Sequence, residues 1–413
     1  MKRFAYAAIP VIFLLASAVS AKGVDELPAD QQALYQRVDP QLPLGPSAFR
    51  DFVAKKQPPW KIGYASTQLP LGPSAFRDFV AKKQPPWKIG YASTYAGNTW
   101  RASIQDEMTN VILPAYQKAG LISELVVTQS DLKDAVQIQQ MRQMVDSGVD
   151  AIIICCSNVT AINQTIEYAH SKGVPVFSFS GYVTSPYAIN VTENNTQGGY
   201  AAGKWLAEKI GGKGNVLLVS GIPGFASSDS FDAGAKGVLA EFPDIKLVGN
   251  VAGNWTDQVA QVEVQKFLAT NPGKVDGIIV QSASENGVLN AVRQSGRDLM
   301  PVVLGGEASA ACFWRNNPGF IDQSFHFWPP RAEARMVWDV MMRTLEGQGP
   351  KVQSIPRPVI TYSIDEVNAA LGQNCDPNST AWLEPANDGW WPKEVAAGYF
   401  LRPEDPLTWR PKP

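Results

Sequence analysis

Residues 87–101 read Trp-Lys-Ile-Gly-Tyr-Ala-Ser-Thr-Tyr-Ala-Gly-Asn-Thr-Trp-Arg. The first seven predict a β-strand, and Tyr95 to Trp100 a loop that opens a helix, with Asn98 and Thr99 as helix-start signals. Working outward, short apolar runs rich in Val and Ile recur at 124–128, 150–155, 175–179, 216–220, 246–251, 276–280 and 301–304. Helical patterns lie between them, at 101–118, 133–147, 160–172, 196–210, 256–270 and 286–295, and Pro329-Pro330 opens another near 331–346. Continuous apolar strands alternating with helices indicate parallel sheets covered on both faces. Eight such units exceed one usual open sheet. The expected fold is therefore α/β, with two doubly wound parallel-sheet lobes.

The stretch before this strand repeats itself. Residues 41–67 recur letter for letter at 68–94. Architectural repeats drift in sequence and come in threes or more, so this identical pair reads as a recent duplication or an error of sequence assembly, and not as a solenoid. Only the second copy runs on into Tyr95, which leaves the first copy surplus, as a loosely packed N-terminal extension. Farther back, Lys2 and Arg3 precede an uncharged apolar run from Phe4 to Ala18, and Val19-Ser20-Ala21 supplies small residues. That is the pattern of a secretory leader cleaved after Ala21. The run is too short for a membrane-spanning helix, and the expected compartment is the periplasm.

Composition narrows the function. Among 413 residues there are 36 Lys+Arg, 38 Asp+Glu and 2 His, for a net charge of −2. Such a balance argues against a nucleic-acid binder. With 2 His and 4 Cys no metal site and no cofactor is expected. Cys155 and Cys156 end an apolar strand and read as small buried residues, while export permits a Cys312–Cys375 disulfide without requiring one.

In open parallel sheets, ligands sit beyond the C-terminal ends of the strands. There the chain places Tyr95, Asn98, Thr99, Trp100 and Arg101, then Ser180-Gly181-Tyr182, then Gly221-Ile-Pro-Gly224 with Ser227, Ser228, Asp229 and Ser230. Asn254-Trp255, Gln281-Ser282 with Ser284 and Glu285, and Gly305-Gly306-Glu307 follow in turn. Aromatic and short polar residues interleave at loop after loop, which suits a small hydroxylated ligand: an indole face packs on C–H groups while amides and carboxylates take hydroxyls. Each residue also has a plainer reading. Trp100 and Trp255 fit a core near helix starts, Asn98 a helix cap, and Glu307 a solvated first-turn carboxylate.

From about 87 to 365 the chain resembles periplasmic substrate-binding proteins of ABC transporters, of the ribose-binding-like type I group. The segments that carry this are Ile89-Gly-Tyr-Ala with Gly97-Asn-Thr-Trp-Arg101, Asp150-Ala-Ile-Ile-Ile154 and Gly173-Val-Pro-Val176. They continue with Asn194-Asn-Thr-Gln-Gly-Gly-Tyr200, Ala202-Gly203, Gly221-Ile-Pro-Gly224, Asn254-Trp255 and Val302-Val-Leu-Gly-Gly-Glu307. The resemblance implies two lobes joined by three crossovers, with the ligand between them. Lobe one would be 87–189 plus 328–357, and lobe two 190–327 plus 358–370. Residues 1–21 would be the leader, 22–86 an extension and 371–413 a tail. The tail carries Asp388-Gly-Trp-Trp-Pro392 and reads either as a wrap over the lobes or as a surface extension.

The same resemblance carries ligand contacts onto Asn98, Trp100, Trp255, a position near Ser282, Gly306 or Glu307, and one near Phe327. Two departures stand out. An Asp-Arg pair usual after the fourth strand is Ser180-Gly181 here. An Arg usual in the helix after the Gly-rich loop is Phe231, flanked by Ser230 and Asp232. Bidentate Arg contacts are strong, so their loss changes the ligand: the pocket is more aromatic and less cationic than a ribose pocket. The candidate binding residues are Asn98, Thr99, Trp100, Arg101, Ser180, Phe231, Asp232, Asn254, Trp255, Ser282, Glu307 and Phe327. The expected function is capture of a monosaccharide, polyol or sugar derivative and delivery to a membrane permease, by a monomer. Presentation of the closed form to a chemoreceptor or sensor kinase is the alternative. An enzyme is disfavoured, since Gly221-Ile-Pro-Gly224 lacks the phosphate-loop pattern and neither His170 nor His326 has an evident nucleophile partner.

Overall fold

The computed structural model describes residues 72–155, 158–357, 360–373, 375–384, 391 and 393–403. The leader, the first repeat copy, Cys156 and the end of the tail lie outside the described residues.

The first sheet is built on β1 (Trp87–Ser93), with neighbours β2 (Ile122–Gln129) on one side and β3 (Ala151–Cys155) on the other. Beyond β3 come β4 (Val176–Phe179), β5 (Ala188–Glu193) and β10 (Ser354–Arg357), all parallel to their neighbours. Every residue of β3 and β4 is buried, as expected where helices cover both faces. Helices α1 (99–118), α2 (Asp134–Asp146), α3 (Asn163–Ser171) and α9 (Pro330–Leu345) belong to this lobe. The middle turn of α1, Glu107–Ile112, is a π-helix, and its wholly buried Glu107 accepts from Arg335 Nε on α9 at 2.6 Å.

The second sheet has the order β7 (Asp244–Ala252), β6 (Lys213–Ser220) and β8 (Gly277–Val280). The run at 301–304 is not a strand of its own: it joins the sheet through a single parallel bridge between Ile278 and Val302. Helices α4 (Asn195–Lys209), α5 (Ala226–Leu239), α6 (Asp257–Thr270), α7 (Glu285–Gln294) and α8 (Ala308–Asn316) complete this lobe. The short antiparallel pair β9 (Ser324–His326) and β11 (Ile360–Tyr362) and helix α10 (Ile364–Leu371) pack at its side. Helices α4 and α5 touch backbone to backbone. A Cβ on Gly199 would stand 1.9 Å from the Phe231 carbonyl, and one on Gly234 1.9 Å from that of Thr196.

The chain therefore has the expected α/β architecture of two parallel-sheet lobes. One boundary moves. Strand β5 is hydrogen-bonded into the first sheet through Glu193, so the first crossover follows Glu193 and not residue 189. The second crossover runs through Phe327 and Trp328, and the third leaves β10 at Arg357. Within the second repeat copy, residues 72–86 pack on lobe one: Phe76 is 2% exposed, and Gly72 and Ser74 pair with the backbone of Gln353 and Lys351.

One guanidinium ties the three crossovers. Arg357 Nη2 meets Glu193 Oε2 at 3.0 Å and Glu333 Oε1 at 2.6 Å, and it donates to the Phe327 carbonyl. All three charged side chains are 3% exposed or less. Removing one member of a buried charge cluster strands the others in low dielectric, at about 3–5 kcal/mol. Arg357→Ala is expected to lose about that much stability in chemical denaturation, whereas an exposed pair such as Lys266–Glu263 contributes less than about 1 kcal/mol. Equal effects of Arg357→Ala and Lys266→Ala would show that the cluster holds nothing.

Candidate binding cleft

The C-terminal ends of both sheets face one narrow cleft. From lobe one it is lined by Tyr95, Asn98, Trp100 and Arg101, which follow β1, and by Ser180, which follows β4. From lobe two come Ser227 on α5, Trp255 after β7, and Ser282 and Ala283 after β8. Trp328 of the second crossover and Trp382 of the tail complete the wall. The space open to water centres is about 40 Å³, which is room for a few waters. The two walls touch, with Asn98 Nδ2 donating to the Trp255 carbonyl at 3.1 Å.

Six of the twelve expected residues meet here: Asn98, Trp100, Arg101, Ser180, Trp255 and Ser282. Asn98 serves both of its readings. Its side chain caps α1 by accepting from Arg101 N at 3.0 Å, and it also reaches across to lobe two. Ser180, Asn254, Trp255 and Ala283 all have positive φ, between 49° and 69°. Such backbone costs energy in non-glycine residues and concentrates at functional loops.

The other six lie elsewhere. The Thr99 hydroxyl accepts the indole N–H of Trp382 at 3.1 Å. Phe231 is fully buried behind Trp328, ring centroids 5.9 Å apart, and edge-on to Phe327 at 5.1 Å. At the position where the family pattern usually has an Arg, an aromatic cluster backs the wall, in keeping with the less cationic pocket expected from the sequence. Asp232 sits beneath the cleft and accepts from Ser220 Oγ at 2.6 Å, Gln281 Nε2 at 2.9 Å and Asn250 Nδ2 at 3.0 Å. Its lone pairs are thereby committed to holding the ends of β6, β7 and β8 together. Asn254 turns the chain into Trp255. Phe327 is buried in the aromatic cluster.

Glu307 is not the solvated carboxylate of its plainer reading. It is buried against Glu285, carboxyl to carboxyl, with Asp257 nearby. Burial first, then the charges of Glu285 and Asp257, hold its pKa well above the carboxylate range, so it carries the proton the pair shares. His326 is buried as well. Burial and the charge of Arg357 push it down to about 3, so it is neutral, and it stacks on Trp382 with centroids 6.0 Å apart.

Four tryptophans dominate the cleft, and each has its N–H committed inside the protein. Trp100 donates to the Trp328 carbonyl at 2.8 Å, Trp255 to Gln281 Oε1 at 3.0 Å and Trp382 to Thr99 Oγ1, while Trp328 donates to Glu193. They present carbon surface only. Polar recognition falls to Tyr95, Asn98, Arg101, Ser180, Ser227 and Ser282. The Arg101 guanidinium lies over the Trp100 ring, 4.9 Å from its centroid, so a cation already occupies that face. Sequence reasoning placed Tyr95 and Ser227 at strand ends without choosing them, and gave no site to Trp328 or Trp382. A larger groove of about 500 Å³ lies at the opposite end of the first sheet, by Lys82, Lys83 and Asp150. The Lys83–Asp150 pair at 2.9 Å uses charge that a ligand there would need.

Comparison with known proteins bears on the family and the fold. The periplasmic binding protein domain family matches residues 89–349. A xylitol-binding protein of Mycolicibacterium smegmatis is 28% identical over 193 residues, covering 46% of this chain and 55% of that protein. A galactofuranose-binding protein of Escherichia coli is 27% identical over 47% of this chain and 61% of its own length. The alignments thus span little more than half of these curated relatives. Among solved structures, an ABC transporter solute binding protein from Thermobispora bispora superposes with a TM-score of 0.64 at 23% identity, covering 70% of this chain and 89% of that one.

The Glu285–Glu307 pair has a measurable consequence. The folded state keeps a proton on Glu307 that the unfolded chain releases above the ordinary carboxyl pKa. Stability therefore falls as pH rises through that interval. Glu307→Gln keeps both hydrogen-bonding roles without the titration. It is expected to be more stable than the parent near about pH 8, with the gain shrinking toward about pH 5. A difference that stays flat across that range would rule out the shared proton.

Proposed function

The chain belongs to the periplasmic binding protein domain family, and from that premise we propose that it is an extracytoplasmic receptor. In this reading it captures a small neutral sugar or polyol between its lobes and hands it to an ABC permease. The observation that carries the reading is the cleft wall: four indoles with committed N–H groups, interleaved with a phenol, an amide, a guanidinium and three hydroxyls. Carbon faces of a sugar or polyol pack on indoles, and its hydroxyls pair with the short polar groups. Arg101 over Trp100 repels a cationic ligand.

Several points support delivery over other roles. Relatives are named as xylitol-, galactofuranose- and D-xylose-binding proteins, and others as ribose and D-apiose import binding proteins. The family's relatives are binding proteins and not enzymes, and in this chain the buried neutral His326 is packed between Tyr362 and Trp382 instead of facing the cleft. Export in this reading rests on the leader at 1–21. Among the described residues, no helix is long and apolar enough to cross a membrane. One chain carries both walls, so closure needs no second copy. A monosaccharide needs more room than a few waters, so entry requires Asn98 and Trp255 to part and the lobes to swing about the crossovers.

The test is a titration of the chain from Lys22 onward with xylitol, D-xylose, D-ribose and D-galactose, followed by tryptophan fluorescence and melting temperature. A ligand at about a hundred times its Kd adds about 2.7 kcal/mol to the folded state, a rise of several degrees. Trp100→Ala and Trp255→Ala are expected to melt lower than the parent without ligand, Trp100 being buried against Phe179, and to lose the ligand-induced rise measured against their own baselines. Absence of any response across the four compounds would sink the reading for neutral sugars and polyols.

A further inference from the structure

The tail brings Trp382 into the cleft, and we infer that Trp382 is a ligand-contacting, selectivity-setting residue held in place by a disulfide-anchored strap, residues 375–384. This rests on the receptor reading above. It concerns residues beyond 349, the end of the family match.

The strap is built into both lobes. Cys375 is bonded to Cys312 of α8, which closes a loop 63 residues apart in sequence. Closing a loop of that size restricts the unfolded chain and pins the strap to α8. Residues 381–383 then bridge onto the Gly305-Gly306-Glu307 turn: Ala308 N donates to the Ala381 carbonyl at 3.0 Å and Leu383 N to the Gly306 carbonyl at 2.7 Å. Leu383 is part of the lobe-two core. On the other side the Trp382 N–H reaches Thr99 on the first turn of α1, and the Glu384 carboxylate accepts from Arg331 N and Ala332 N at the start of α9. The strap therefore meets lobe two through the disulfide, backbone bonds and Leu383, and lobe one through side chains.

This geometry decides what the indole offers. Its N–H is spent on Thr99, and one side of its ring system rests near His326. What remains toward the cleft is apolar ring surface, 8% of the residue being exposed. A glycine-rich turn alone would leave that side of the cleft open. Trp382 closes it with a flat wall that accepts C–H groups and refuses hydroxyls. Selectivity between an acyclic polyol and a six-membered ring sugar, which present different carbon faces, should then depend on it.

The experiment compares the full mature chain with its Trp382→Ala, Trp382→Phe and Trp100→Ala variants, titrated with xylitol and with D-galactose by calorimetry. Melting temperature without ligand reports folding. Trp382→Ala is expected to lose about tenfold or more in affinity for the tighter-binding compound, equivalent to about 1.4 kcal/mol, and to change the xylitol-to-galactose ratio. A purely structural role would lower both affinities alike. Trp382→Phe keeps the ring and drops the donor, and is expected to stay within about threefold of the parent. If Trp382→Phe loses as much as Trp382→Ala, the residue acts only by holding the strap, and the inference falls. If Trp100→Ala abolishes binding while Trp382→Ala leaves affinity and ratio unchanged, the inference falls and the receptor reading stands. If the parent binds neither compound, both fall together.

Discussion

The buried guanidinium of Arg357 is the constraint on which the rest of this structure hangs. It lies where all three crossovers converge, between Glu193 at the end of β5, Glu333 on α9 and the Phe327 carbonyl. A charge there has no water to solvate it, so its partners must be in place for the chain to fold at all. The chain of contacts continues into the cleft. Glu193 also accepts the Trp328 N–H, and the Trp328 carbonyl accepts the Trp100 N–H. The hinge charge cluster and the cleft wall are thus one hydrogen-bonded unit, and the orientation of two indoles is set by electrostatics at the crossovers.

That link leaves the cleft aromatic without leaving its indole N–H groups open. A tryptophan with a free N–H would seek an acceptor on any ligand. Here each of the four is already satisfied by protein, so directionality comes only from short side chains on rigid turns. Several of those turns hold non-glycine residues at positive φ, Ser180 and Trp255 among them. Strain of that kind persists only when the surroundings over-determine it. Asp232 supplies part of this, tying Ser220, Asn250 and Gln281 below the loops. Phe231, where a cation would have widened the polar repertoire, instead stiffens the wall from behind.

Much of the fold was legible in the sequence because parallel strands buried on both faces advertise themselves: β3 is a continuous apolar run, β4 is broken only by Ser178, and helices separate the strands at regular intervals. The strands that were missed are instructive. β5, Ala-Ile-Asn-Val-Thr-Glu, mixes polar residues that serve the crossover and the hinge cluster, so its apolar signal is broken. β9 and β10 are three and four residues long and contain His326 and Pro356. Conversely 301–304 looks like a strand and makes only one bridge, because it turns at once into the Gly305-Gly306 corner. At the site, the rule that ligands meet strand ends found the residues that follow β1, β4, β7 and β8. It could not find Trp328 or Trp382, which come from a crossover and from a tail. Nor could it tell Glu307, a buried proton carrier, from a solvated helix-start carboxylate, since both readings fit the same turn.

The contacts across the cleft fix how the molecule must move. The α4–α5 crossing at Gly199 and Gly234 leaves no space for even one methyl group, so lobe two cannot open by deforming inside itself. In the proposed receptor, admission of a ligand would therefore fall on the crossovers, with each lobe travelling as a body. The contacts given up in that motion are few and identifiable: the Asn98 amide on the Trp255 carbonyl, the Trp382 N–H on Thr99, and the Glu384 carboxylate at the start of α9. In such a motion the Arg357 cluster, where the three crossovers converge, would lie at the pivot. On the receptor reading, a ligand that touches both walls and the strap would restore in the closed form what opening removed. Its extra contacts in that form are what shift the equilibrium between the two.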